Sequence, residues 1–217
     1  MPVKLEVWGD GALYSRPEFK VEKVSYDVMT PSAARGILEA IYWHPGLRWV
    51  IDRIVVMNPI RFNNIKRNEV KSTISPLSVC TALKKDKMVT PLYTVEDKQP
   101  RAAMFLRDVR YVIEAHFVLT EAMEPDDSAA KFQSMFNRRA AKGQCYHHPY
   151  LGCREFPAAF RLWKNDEEPR GFEMGNRDLG FMLYDMDYSN PKDAKPMFFR
   201  GVLRNGVLDC ENVEVMS

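Results

Sequence analysis

Apolar and polar residues alternate from Val3 to Trp8, and a period of two predicts a half-buried strand. Gly9 to Phe19 interrupts the pattern with glycine, proline and aromatics, and Val21 to Met29 reads as a second strand. Thr30 followed by Pro31 marks a helix start, an N-cap hydroxyl before a proline at the first helical position. In the helix that follows, Ile37, Leu38 and Ile41 share one side, and Pro45-Gly46 ends it. Leu47 to Phe62 is rich in Val, Ile and Trp and predicts one strand, or two joined near Asp52-Arg53. Asn63 to Ser75 is polar and basic and reads as a loop or hairpin projecting from the sheet, while Pro76 to Lys98 fits neither period. Arg101 to Thr120 is strand-like, with Arg107-Asp108 as a turn between two strands.

The acidic, proline-containing segment Glu121 to Asp127 shifts the composition, and Asp127 or Ser128 can cap the helix that follows. Beyond Gly143 the chain is aromatic and turn-rich, and Asn205-Gly206 is a hairpin signal. Strand, strand, helix, strand, strand predicts an α+β fold with helices on one side of a sheet. The expected division is a first domain over residues 1–124, then the basic helix with a small antiparallel β-rich domain over residues 125–217.

Lys131 to Lys142, KFQSMFNRRAAK, carries four cations and no acid. On a helix, Lys131, Arg138 and Lys142 fall within about 40° of one another, with Phe132, Met135 and Phe136 on the adjacent arc. One side can pack on a core while its neighbour presents a positive row suited to a nucleic-acid backbone. An ordinary solvated helix face explains the same pattern equally well. The net charge of the whole chain is only +2, so a polyanion site must come from clustering. No apolar run reaches the roughly 18 residues of a membrane span, the N-terminus has no signal-peptide pattern, and no membrane is expected as a partner. Cys80, Cys145, Cys153 and Cys210 are scattered, which fits reduced thiols in a cytoplasmic protein.

Cys145, His147, His148 and Cys153 are four potential zinc ligands, but their spacing departs from paired CxxC arrangements, and packing and hydrogen bonding account for them better. Walker and GxGxxG sequences are absent, and no carboxylate spacing suggests two-metal chemistry, so no metal and no cofactor is expected. Tyr42-Trp43-His44 closes the first helix with a phenol, a stacking surface and an imidazole. Core packing and helix capping are the competing reading for all three. His116, mid-strand among apolar residues, reads as a satisfied core histidine.

Four segments, MPVKLEVWGDGALYSRPEF, VSYDVMTPSAARGILEAIYWHP, IVVMNPIRFNNIKRNEVKS and YLGCREFPA, resemble the subtype I-C (Dvulg) branch of the fifth family of CRISPR-associated proteins, in the RAMP superfamily. The resemblance runs over essentially the whole chain. It implies a ferredoxin-like, RRM-like N-terminal domain and a smaller β-rich C-terminal one. It also implies a metal-independent endoribonuclease that cuts CRISPR precursor RNA at the repeat hairpin and keeps the 5′ handle of the mature guide RNA. The expected partners are the repeat RNA, the guide RNA, and the repeated backbone and large subunits of a type I-C surveillance complex, with DNA as a further ligand.

In such chemistry the ribose 2′-OH attacks its own phosphodiester, leaving a 2′,3′-cyclic phosphate and a 5′-OH. The family's tyrosine corresponds to Tyr42 and its lysine to Lys131. The histidine that follows the lysine in the family has no counterpart, since Phe132 stands there, and His44 is the substitute candidate. Arg35, Trp43, Arg61, Lys66, Arg67, Lys71, Arg138, Arg139 and Lys142 are the candidate RNA contacts. A non-catalytic scaffold that holds the 5′ handle is the alternative, and a metal-dependent DNA nuclease is a third reading.

Overall fold

The structure is a computed structural model that describes residues 2–19, 21–89, 91–164, 168–172, 175–190 and 193–216. In chain order its elements are β1 (Val3–Ala12), β2 (Lys23–Val24), α1 (Pro31–Ile41), β3 (Leu47–Val56), β4 (Phe62–Val70), α2 (Pro76–Lys84) and β5 (Lys98–Leu119). They continue with α3 (Ala129–Ala141), β6 (Ala159–Leu162), β7 (Asn176–Asp187), β8 (Lys195–Arg204), β9 (Val207–Asp209) and β10 (Val215–Met216). The described strands form one sheet in the order β10-β8-β9-β3-β5-β1-β6, with β2 and β4 also paired to β5, and β7 to β8. All of these pairings are antiparallel except β2 with β5. The fold is a mixed α/β one dominated by its antiparallel sheet.

The two faces of the central strands differ sharply. Leu5, Val7, Tyr111, Ile113, Ala115 and Ile51 are buried on one face, as the period of two requires. α3 covers this face, its Phe136 ring 4.8 Å from the Trp49 ring and its Phe132 ring 6.2 Å from Phe117. The opposite face is ionic. Glu6, 1% exposed, accepts from Arg110 Nε at 2.6 Å and from Arg161, while Glu114 pairs with Arg53 and with Lys4 at 3.4 Å. Burial pushes the Glu6 carboxyl up, but its two arginine hydrogen bonds outweigh this and hold it below the ordinary glutamate value.

Both helices beside the candidate site begin as their sequences dictate. Thr30 Oγ1 accepts from Ala33 N at 3.3 Å and Ser128 Oγ from Lys131 N at 3.2 Å. The Asn205-Gly206 turn has φ of 49° and 76°, the conformation an asparagine-glycine hairpin adopts.

Several expected boundaries fall elsewhere. Within Val21 to Met29 pairing is confined to Lys23–Val24 with β5 and a single bridge from Ser25 to Ser15, and Tyr26, Val28 and Met29 enter the core from irregular backbone. Arg107-Asp108 is not a turn between two strands. β5 runs through it, with Asp108 at φ 51° and the β1 pairing stepping from Val109 to Arg107. Asp52 marks a similar irregularity in β3 rather than a junction. Asn63–Ser75 is mostly strand β4, which pairs with the first half of β5 to form a ribbon, and α2, with no buried residue, lies between them in the chain. β6 adds to β1 and β9 adds to β3, so strands from either side of residue 124 share one sheet. One apolar cluster likewise runs from Val3 to Cys210.

Candidate active site

Residues distant in the chain meet where the end of α1 faces the start of α3. Tyr42 caps α1, its N–H donating to Leu38 O at 2.9 Å. The Tyr42 ring is 5% exposed and lies 6.3 Å from the ring of Phe132, which is fully buried. Arg139 covers the other part of the tyrosine, with its guanidinium carbon 5.0 Å from the ring centroid and Nη1 donating to Ile41 O at 3.0 Å. Among the described residues no group hydrogen-bonds the Tyr42 hydroxyl, and its oxygen is not sealed from solvent. Burial holds the phenol above the ordinary tyrosine value, helped by Asp127 and opposed by Arg139 and Lys131. At neutral pH it is therefore a proton donor.

Asp127 organises the rest. Its Oδ1 accepts from Lys131 Nζ at 2.9 Å, and its Oδ2 accepts from Glu124 N at 3.0 Å and lies 3.7 Å from His44 Nδ1. The Lys131 hydrogen bond holds the Asp127 carboxyl below its usual range, and the same bond raises the Lys131 ammonium. Lys131 remains half exposed, its Nζ also 3.5 Å from Asp126 O. The His44 ring stacks at a tilt on Phe132, centroids 4.9 Å apart, and its Nδ1 accepts from Gly46 N at 3.1 Å. Nδ1 thus sits between a backbone donor and a carboxylate. Bonded to Gly46 it leaves Nε2 as a donor, and with its proton turned to Asp127 it leaves Nε2 as a base.

Tyr42, His44, Lys131 and Arg139 therefore share one site. Trp43 stands beside it, 61% exposed. Arg138 on α3 and Lys142 at its C-cap are exposed, continuing the positive row away from Lys131. Two other predicted contacts already have partners. Arg35 forms a fork with Asp185 at 2.9 and 2.8 Å and also donates to Glu39, and Arg67 is paired with Glu155 over the Phe156 ring. Arg61, Lys66 and Lys71 are exposed on and around the β4–β5 ribbon, and among the described residues none of them contacts Tyr42. Asp127 was legible in the sequence only as a cap, although the i, i+4 spacing to Lys131 could have flagged the pair. Cys145, His147, His148 and Cys153 do not bring three donor atoms together.

A phenol that donates, a half-exposed ammonium and an imidazole of switchable tautomer can together position and protonate a phosphodiester. Comparison with known proteins gives this geometry a context. The family model described as CRISPR-associated protein (Cas_Cas5) matches residues 3–211. A Mannheimia succiniciproducens protein named CRISPR pre-crRNA endoribonuclease Cas5d is 51% identical over 214 residues, covering 95% of this chain and 93% of that one. A Thermus thermophilus protein of the same name is 38% identical over 224 residues, covering 95% and 90%. Among solved structures, a CRISPR-associated protein superposes with a TM-score of 0.72 at 24% identity, covering 100% of this chain and 97% of its own. A functionally uncharacterized Streptococcus mutans protein gives 0.70 at 22%, with the same coverage. At those identities the structural likeness speaks for the fold alone. With the family model spanning nearly the whole sequence and relatives this similar, the chain belongs to the Cas5d family of CRISPR-associated proteins.

Proposed function

We propose that this chain is a metal-independent endoribonuclease that cleaves CRISPR precursor RNA at the repeat hairpin. The observation that carries the reading is the meeting of Tyr42, His44 and Lys131 around Asp127 and Phe132, in a chain whose relatives bear that activity in their names. RNA supplies its own nucleophile, so the protein need only align the 2′-OH, stabilise the phosphorane and move protons. Lys131, held by Asp127, faces the charge that builds on phosphate. Tyr42 donates to the departing 5′ oxygen. His44, with Nδ1–H turned to Asp127, takes the 2′ proton at Nε2 in the role of the family histidine that Phe132 replaces here. Phe132 keeps a structural role, packing under both Tyr42 and His44.

The βαββαβ path β1-α1-β3-β5-α3-β6 with the strand order β3-β5-β1-β6 supports a ferredoxin-like, RRM-like reading of the central unit. Arg138, Arg139, Lys142 and Trp43 flank the scissile site. Lys66, Lys71 and Arg61 on the ribbon reach a more distant part of the RNA. After cleavage the protein keeps the 5′ handle in the cytoplasm and joins the backbone and large subunits of the surveillance complex, with DNA as a further ligand of that complex. No described helix is long and apolar enough to cross a membrane.

The test is incubation of the purified protein with one repeat hairpin in EDTA. A single cut with a 2′,3′-cyclic phosphate end supports the enzyme. Tight binding without product favours the scaffold reading, and cutting that needs added magnesium favours a metal nuclease.

A further inference from the structure

Away from the candidate active site, Asp52, His116 and Glu211 converge from three parts of the chain. One donor atom from each lies within 4.8 Å of the others. Asp52 sits at the irregularity in β3, where the pairing with β5 shifts between Ile51 and Arg53. That shift turns its carboxylate toward His116, and Oδ1 lies 2.6 Å from the ring Nδ1. His116 follows Ala115 and precedes Phe117, both on the helix-covered face, so strand alternation puts its ring on the opposite face. The Asp52 carbonyl accepts from Cys210 N at 2.8 Å and from Glu211 N at 3.2 Å, which fixes the turn carrying Glu211 beside the other two.

The charge around this group is unbalanced. Glu6, Glu114, Asp27, Asp178 and Asp185 each have an arginine or lysine partner. Among the described residues no lysine or arginine pairs with Asp52 or Glu211, and His116 is the only basic side chain that Asp52 meets. Asp52 is 13% exposed and His116 39%, so the group is open enough for an ion to enter and covered enough to hold one.

We infer that Asp52, His116 and Glu211 form a binding site for a divalent first-row transition ion such as Zn2+. An imidazole among the donors separates it from the all-oxygen sites that calcium and magnesium prefer, and three protein ligands leave positions for water. An ion there would bridge β3, β5 and the turn after β9, so its binding would stabilise the attachment of the C-terminal segment to the central sheet. The inference is independent of the proposed cleavage reaction, whose candidate residues lie on the helix-covered side.

The test is calorimetric titration of Zn2+ into full-length protein stripped with EDTA, alongside melting curves with and without Zn2+. The expected result is one saturable ion per chain and a melting temperature that rises with Zn2+. His116→Gln and Glu211→Gln should each weaken binding by about tenfold or more, and a combined His147→Ala/His148→Ala variant should bind as the parent does. Glu211 is exposed, so its substitution keeps the answer available even if His116→Gln folds poorly. Absence of saturable binding overturns the inference. So does binding that Glu211→Gln weakens less than tenfold, or that is lost in the His147/His148 variant.

Discussion

Replacing Tyr42 by phenylalanine isolates one atom. The ring contacts with Phe132 and Arg139 survive the change, and among the described residues the hydroxyl has no hydrogen-bond partner to lose. Stability should therefore shift by less than about 0.5 kcal/mol, or about 1–2 °C in Tm for a chain this long. The rate should fall much further. Loss of a positioned acid removes about 10²–10⁴-fold in rate, or about 2.7–5.5 kcal/mol of barrier lowering. Single-turnover cleavage of an end-labelled repeat hairpin in EDTA measures the rate, and anisotropy on an uncleavable 2′-deoxy hairpin measures binding. Burial keeps the phenol above 10.0, so in the parent the group stays protonated and its contribution should be flat across neutral and mildly alkaline pH. A variant that cleaves within about threefold of the parent, with Tm unchanged, removes Tyr42 from the chemistry. A rate loss matched by an equal binding loss would make the hydroxyl an RNA contact rather than an acid.

Asp127→Asn can still accept from Glu124 N but no longer holds Lys131 or faces His44 as an anion, and cleavage should fall about 10²-fold with Tm little changed, by the same two assays. Lys66→Ala with Lys71→Ala should weaken hairpin binding and make the slope of log K against log salt shallower by about 0.7–0.9 per lost phosphate contact, whereas an unaltered slope would place the ribbon off the RNA. Glu6 has a folded-state pKa below its ordinary 4.5, so its contribution to stability is full above that pH and is lost as pH falls through the lowered value. Urea melts of Glu6→Gln should accordingly show a flatter stability profile below pH 4.5 than the parent. A Cβ at Gly11 would lie 2.7 Å from the Phe156 ring and 3.2 Å from Phe105, so Gly11→Ala should cost about 1–3 kcal/mol in denaturant unfolding.

What the sequence determined by itself is local. Caps at Thr30 and Ser128, the phenylalanine side of α3 and the Asn205-Gly206 turn each depend on residues within a few positions of one another, so spacing alone could find them. Tyr42 and Lys131 came from resemblance to a family, and periodicity alone did not distinguish Tyr42 from a core residue. The tertiary structure decided the rest, because the forces involved act between distant segments. Only the folded sheet shows that Asp108 and Asp52 sit at irregularities within continuous strands, since pairing to β1 and β5 overrides local turn propensity. Only the packing of α3 against the end of α1 brings Asp127 between Lys131 and His44. Only a partner far along the chain explains why Arg35 and Arg67, plain surface cations in the sequence, are held by Asp185 and Glu155: a charge is claimed by whichever opposite charge the fold carries to it.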